Sequence, residues 1–286
     1  MFYFYKITNI LYNNLPQSWC YTLARVIGSI TCWAAGQERS SVENNLRRLE
    51  PFKQDKWQIK IVARKIFQNF NICLADFFRS GKINKNNLQS ILQLENKENL
   101  DSAFKHGKGV ILLSAHFGNW ELGGIGLALL GYPVSTVYLP QPDRRLDKLF
   151  VSARVRHGEK MLELGADTRN IFSVLANKEI VLVVGDLDMG NSDSGIKVNF
   201  LGRETIFPRG PAALAVKTGA LIVPGFNVMT GNGEYRLILE KPIIPPTGGD
   251  KEDNIRAHTQ EFANILEKYI RQYPEQWFIF RRLNSP

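Results

Sequence analysis

His116 and Glu121 lie in LLSAHFGNWELGG, Leu112 to Gly124, where an apolar run gives way to a glycine-rich segment. An imidazole and a carboxylate are the parts of a general base. A carboxylate bonded to one ring nitrogen fixes the tautomer and raises the basicity of the other nitrogen. That free nitrogen can take a proton from a hydroxyl, which contributes ~10²–10⁴ to a rate. The plainer alternative is a loop with a solvated acid and a satisfied histidine. On one continuous helix, residues at this spacing diverge by more than a third of a turn. Across a loop and a helix start, they can meet. Asn119 is a suitable N-cap for a helix opening at Trp120, and Gly118 lets the backbone turn sharply before it. The first-turn amides would then face an oxyanion or a phosphate.

Other chemistries fit less well. The four histidines, His106, His116, His157 and His258, form neither HExxH nor a close pair, so no metal site is expected. No GxSxG elbow, Walker loop or GxGxxG loop occurs, and no cofactor is expected. Asp186 and Asp188 stand in GDLDMG after an apolar run. An Asp-x-Asp there suits a metal-dependent glycosyltransferase, but that leaves HFGNWE without a role. Cys20, Cys32 and Cys73 show no metal or disulfide spacing and read as reduced, buried thiols.

The elements that must position these residues fall into two regions. Up to about Lys105 the pattern is helical. Pro16 to Ala35 and Asp55 to Arg79 are predicted helices, the second closed by Ser80-Gly81. Beyond it, strands alternate with helices. VILLSA, Tyr132 to Tyr138, KMLEL, Ile180 to Asp186, ALIVPGFNV and YRLILE read as strands. Trp120 to Leu130, Arg145 to His157, Asn170 to Asn177, Pro211 to Thr218 and Asn254 to Gln272 read as helices. The expected fold is α/β, a mostly parallel sheet flanked by helices, over residues 106–286, with a helical, membrane-facing region over 1–105. Sites in such sheets lie beyond the carboxyl ends of the strands. His116 and Asp186 both stand there.

Charge is uneven. The 286-residue chain has a net charge of +9, and Met1 to Val110 carries 16 Lys and Arg against 8 Asp and Glu. Nucleic acid and an anionic membrane both suit such a region; a solvated helix face suits it too. Trp19 to Ala35 is apolar but contains Arg25 and is shorter than the ~20 residues of a bilayer span. It reads as an interfacial helix, with Trp19, Tyr21 and Trp33 at headgroup level; a buried core helix is the alternative. Met1 to Gly36 lacks a compact basic start and a clear cleavage site, so no signal peptide is expected.

SAHFGNWELGG resembles the His-x4-acid block of the glycerolipid and lipid A acyltransferases, and more closely that of the bacterial lipid A lauroyl/myristoyl acyltransferase family. VENNLRRLEP, VYLPQPDRRLDKLF with Arg154 and Gly158, VNFLGRETIFPRGPAALAVKTGALIVPGF and YPEQWFIFRRL resemble further blocks of that family in order. The resemblance implies acyl transfer from acyl carrier protein or acyl-CoA to a hydroxyl of a phosphorylated membrane glycolipid, a lipid A precursor above all. It implies His116 as general base with Glu121 as its partner. Asn119, Arg154, Asp186, Asp188 and Arg209 would contact substrate, with Arg154 and Arg209 on phosphates. Arg209 has capping or pairing beside Pro208 as an alternative. The implied location is the cytoplasmic face of the bacterial inner membrane, peripheral or singly anchored, with no nucleic-acid partner. Two departures stand out. The family often has Asp-Gln where GDLDMG stands, and Asp-x-Asp is similar to the related phosphatidylinositol mannoside acyltransferases. Phe278, Ile279 and Phe280 stand where Trp and His often precede the final arginines, which points to changed lipid contacts.

Overall fold

A computed structural model describes residues 2–187, 195–231, 233–244 and 248–283. The chain opens with helices α1 (Phe2–Asn14), α2 (Gln17–Ala34), α3 (Gly36–Leu46), α4 (Lys56–Arg79) and the short α5 (Leu88–Ile91). The two helices expected from periodicity are α2 and α4; α1 and α3 were not anticipated. Asp55 starts α4 by accepting from the amides of Trp57 at 3.0 Å and Gln58 at 2.9 Å, a cap worth ~1 kcal/mol. Ile59, Val62, Ile66 and Phe67 form its buried face.

Strand β1 (Leu92–Glu95) and α6 (Lys97–Lys105) follow. Then come β2 (Val110–Ser114), α7 (Trp120–Leu129), β3 (Val134–Tyr138), α8 (Arg144–Val155), β4 (Lys160–Glu163), α9 (Thr168–Ala176) and β5 (Ile180–Val184). The hairpin β6 (Ile196–Phe200) and β7 (Arg203–Phe207) precedes α10 (Gly210–Thr218), β8 (Leu221–Gly231), β9 (Glu234–Leu239) and α11 (Lys251–Gln272).

The main sheet has seven strands in the order β1-β9-β8-β2-β5-β3-β4. All its pairs are parallel except β8 with β9, which run antiparallel. The α/β expectation therefore holds. VILLS of β2 is buried throughout, as an apolar run in the middle of a parallel sheet must be. β1 lies within residues 1–105 and pairs with β9, so the sheet takes one strand from the region expected to be helical. The three cysteines are free and buried.

After α11 the chain turns at Pro274–Gln276 and runs back along the start of α7. Asn45 of α3 holds this return, its Nδ2 donating to Arg281 O at 2.9 Å and its Oδ1 accepting from Leu283 N at 3.2 Å. Arg48 donates to Leu283 O at 3.2 Å and to Thr205 Oγ1 at 2.9 Å. The VENNLRRLEP and YPEQWFIFRRL blocks thus meet in space, and they meet as structure.

The outer helices leave large apolar side chains in solvent. Tyr3, Phe4, Ile7 and Ile10 of α1, Trp19, Ile30 and Trp33 of α2, and Trp57 and Ile61 of α4 are exposed, Trp33 to 79%. The opposite face of α2, with Cys20, Ala24, Gly28 and Cys32, is buried. Among the described residues, no helix is long and apolar enough to cross a membrane.

Candidate active site

His116 and Asp186 meet because of strand register. β2 and β5 are parallel neighbours, and Ser114 is opposite Val184. Two residues further along each chain stand His116 and Asp186. Gly185 N donates to Ser114 O at 2.9 Å, which continues the pairing past the strand ends. Asp186 then holds His116 at two points. Oδ1 lies 2.7 Å from Nδ1, and Oδ2 accepts from the His116 amide at 2.9 Å. The Asp186 side chain is 2% exposed and that of His116 30%. The carboxylate is thus fixed inside while the ring reaches the surface. With Nδ1 carrying the proton towards Asp186, Nε2 presents its lone pair outward. The Trp120 indole meets the imidazole edge to face at 5.2 Å between centroids.

The loop that carries His116 is clamped from two further elements. Phe278 N donates to His116 O at 2.8 Å and Gly118 N to Gln276 O at 2.9 Å, both from the C-terminal return. From β8, Asn227 O accepts from Asn119 N at 2.9 Å, and Asn227 Nδ2 donates to Asn119 O at 2.8 Å. Gly118 has φ +57°, and a Cβ there would lie 2.0 Å from Asn227 O. Glycine is required at this turn on both counts.

Glu121 does not orient His116, contrary to the sequence expectation. It faces Arg154 of α8, which donates from Nε at 2.7 Å and from Nη2 at 2.6 Å. The two side chains are 17% and 12% exposed, and the guanidinium sits over the Phe77 ring at 5.6 Å. Burial disfavours the Arg154 charge, but Glu121 outweighs it and holds the Arg154 pKa above its usual value. Arg154 Nη1 has no hydrogen bond among the described residues. The acid bonded to the His116 ring is thus Asp186, and the one expected there, Glu121, is bonded to Arg154. The nearer acid in sequence starts a helix that carries it towards α8, while the acid 70 residues away sits on the adjoining strand end.

The other expected contacts divide. Asn119 is 1% exposed. Its Oδ1 accepts from Leu122 N at 3.2 Å as the α7 cap, and its Nδ2 lies 3.4 Å from both Cys73 O and Tyr235 Oη. Its side chain is engaged by the protein, so the capping alternative describes it. Asp186, expected on substrate, has both oxygens on His116. Arg209 sits at the start of α10, half-buried, and forms an ion pair with Glu252 in the first turn of α11. The pairing alternative describes it too. Asp188 lies outside the described residues.

Three residues of this region were not anticipated. Asn227 and Gln276 lock the loop that carries His116; Gln276 lies within the YPEQWFIFRRL block and Asn227 directly follows the block that ends at Phe226. Glu159, which precedes β4, is 4% exposed and accepts from the Thr136 hydroxyl. Burial lifts its carboxyl to about 7.

A half-exposed imidazole backed by a buried carboxylate, at the N-terminus of an apolar helix, is equipped to deprotonate a hydroxyl. A family model described as bacterial lipid A biosynthesis acyltransferase matches residues 1–284. Phosphatidylinositol mannoside acyltransferase of Mycolicibacterium smegmatis is 29% identical over 208 residues, covering 71% of this chain and 66% of that protein. Its counterpart in Mycobacterium tuberculosis is 29% identical over 212 residues, covering 72% and 65%. The match thus spans just under two thirds of these relatives' length. Lipid A biosynthesis palmitoleoyltransferase of Escherichia coli is 24% identical over 277 residues, covering 96% and 88%.

Proposed function

Because the chain belongs to the bacterial lipid A biosynthesis acyltransferase family, we infer that it transfers a fatty acyl chain from acyl carrier protein or acyl-CoA to a hydroxyl of a membrane glycolipid. The observation that carries this reading is the two-point grip of Asp186 on His116. His116 Nε2 takes the proton of the acceptor hydroxyl as its oxygen bonds to the thioester carbonyl carbon. Asp186 stabilises the imidazolium that forms. The tetrahedral intermediate then collapses, the C–S bond breaks, and the thiolate leaves and is protonated from His116. The products are an ester and a free thiol, with no acyl-enzyme on the path. Glu121 acts through Arg154, whose Nη1 is directed to a phosphate of the acceptor or to the oxyanion.

A lipid A precursor is the leading acceptor, supported by the family match across residues 1–284. A phosphatidylinositol mannoside is the second, supported by the 29% identity to enzymes named for that acceptor. The exposed apolar side chains of α1, α2 and α4, beside Lys56, Lys60 and Arg64, suit the headgroup layer of an anionic membrane. Each well-placed cation adds about 1 kcal/mol there. The protein is then a peripheral enzyme of the cytoplasmic face of the inner membrane.

The test is lipid mass spectrometry on cells lacking the gene, complemented with wild type, His116→Ala or Asp186→Asn. Loss of one secondary acyl chain from lipid A, restored by wild type alone, supports the first acceptor. Loss from another glycolipid selects the second. An unchanged lipid profile, with no transfer by purified enzyme from either donor, overturns the reading. Liposome sedimentation tests the membrane face: Trp33→Ser with Trp57→Ser lowers binding to anionic vesicles, and high salt lowers it further.

A further inference from the structure

Glu159 has no part in the chemistry above, yet it lies beneath the Glu121–Arg154 pair. Its Oε2 accepts from Thr136 of β3, and its Oε1 is buried without a hydrogen-bond partner among the described residues. The α7 backbone passes close by. A Cβ built on Gly124 would lie 3.1 Å from Glu159 Oε2, so glycine leaves room for this carboxyl. Glu121 is three residues earlier on the same helix. The charged groups facing Glu159 are Glu121 from α7 and Arg154 from α8, while β3 offers only the Thr136 hydroxyl. His157 lies on the same connection, and burial followed by Arg156 lowers its pKa, so it adds no charge at neutral pH.

Two carboxylates and one guanidinium leave a negative charge in excess in a site largely out of water, and a buried charge without a partner is costly. Arg154 already gives two donors to Glu121. Resting on the function argued above, we propose that Glu159 is a positioning residue that holds the proton of this three-group cluster, which keeps Glu121 ionised and Arg154 committed to it. When that proton leaves for solvent, a second carboxylate competes for the guanidinium and draws Nη1 away from the substrate. Burial raises the Glu159 carboxyl to about 7 against the Thr136 hydroxyl; Glu121 adds to the rise and Arg154 opposes it. An orphaned buried oxygen is tolerated in the neutral acid far better than in the carboxylate.

Two measurements on the full chain test this, and neither depends on acyl transfer. The first is the melting temperature of wild type and Glu159→Gln across pH. The folded protein binds this proton more tightly than the unfolded chain, whose value is near 4.5. The associated stability is therefore complete below about 4.5 and is lost as pH rises through about 7. Wild type should lose melting temperature relative to Glu159→Gln across that window. The second is the NMR shift of the Arg154 Nε–H. It should step with the same midpoint in wild type, stay flat in Glu159→Gln, and step at higher pH in Thr136→Val, which removes the bond favouring the carboxylate. If Glu159→Gln does not fold, Thr136→Val alone decides by its displaced midpoint. Parallel melting curves, a flat Arg154 resonance in wild type, or an undisplaced step in Thr136→Val would overturn the proposal. Absent acyl transfer in wild type counts against the catalytic reading alone.

Discussion

Two acid–base pairs flank the first turn of α7, and they are built in opposite ways. In the His116–Asp186 pair, the acid is buried, the base is partly open, and one ring nitrogen is left over. In the Glu121–Arg154 pair both members are mostly buried, and the carboxylate is met by a bidentate fork. The first arrangement leaves a lone pair facing solvent with a counter-charge behind it. The second consumes both oxygens of its acid and leaves only a donor, Nη1. A base needs an unoccupied lone pair, and a structural or anion-binding pair does not. Under the proposed reaction, the difference gives proton transfer to one side of the helix start and anchoring to the other.

Replacing the base should break the comparison most sharply if it is wrong. His116→Ala is expected to lower the transfer rate by ~10³–10⁴ and also to lower the melting temperature, because it leaves one oxygen of the buried Asp186 carboxylate without its partner. A comparable rate loss in Glu121→Gln at unchanged stability would mean that both pairs move protons. Asp186→Asn comes next, with an expected loss of ~10³. The amide keeps the shape but turns a donor towards Nδ1, which favours the tautomer with its proton on Nε2. Substrate KM should change little, since both oxygens of Asp186 are taken by His116.

Glu121→Gln sharpens the other half. It leaves a largely buried guanidinium without its counter-charge, and the expected cost is about 3 kcal/mol of stability. Its rate loss should be smaller than that of Asp186→Asn. Adding Arg154→Met should recover part of the stability, because the uncompensated charge goes too. Urea unfolding of the two single variants and the double variant gives the coupling directly. If the double variant is no more stable than Glu121→Gln, the pair is not the anchor described here.

Which acid meets His116 was hidden in the sequence for a definite reason. The alternation of apolar runs and amphipathic segments reported an α/β fold, because buried parallel strands and helices each have their own period. It also placed His116 and Asp186 at strand ends. Strand order is not a local property, however. That β5 lies beside β2, with β3 one place further out, follows from packing across the sheet. Proximity, and the resemblance to the His-x4-acid block, therefore both point to Glu121. The β6–β7 hairpin lies in a segment whose resemblance to a family block stands out more than its strand pattern, although IKVNF has buried residues in strict alternation. Asn45 and Gln276 act through backbone contacts across more than 40 residues, which no spacing rule reveals.

The mildest test concerns Arg154→Lys. A lysine keeps the positive charge but offers a single point where the guanidinium offers a fork. Glu121 stays compensated, so the stability cost should be only about 1 kcal/mol. The geometry is lost, however, and so is Nη1, the donor that remains after Glu121 has taken Nε and Nη2. If Nη1 meets the acceptor's phosphate, KM for the glycolipid should rise while kcat holds nearly constant, because uniform binding is lost and proton transfer is not. If it meets the oxyanion, kcat should fall and KM should hold. The split between these constants says which negative group the anchoring side of α7 was built to receive, and a variant indistinguishable from wild type would leave Arg154 with Glu121 as its whole purpose.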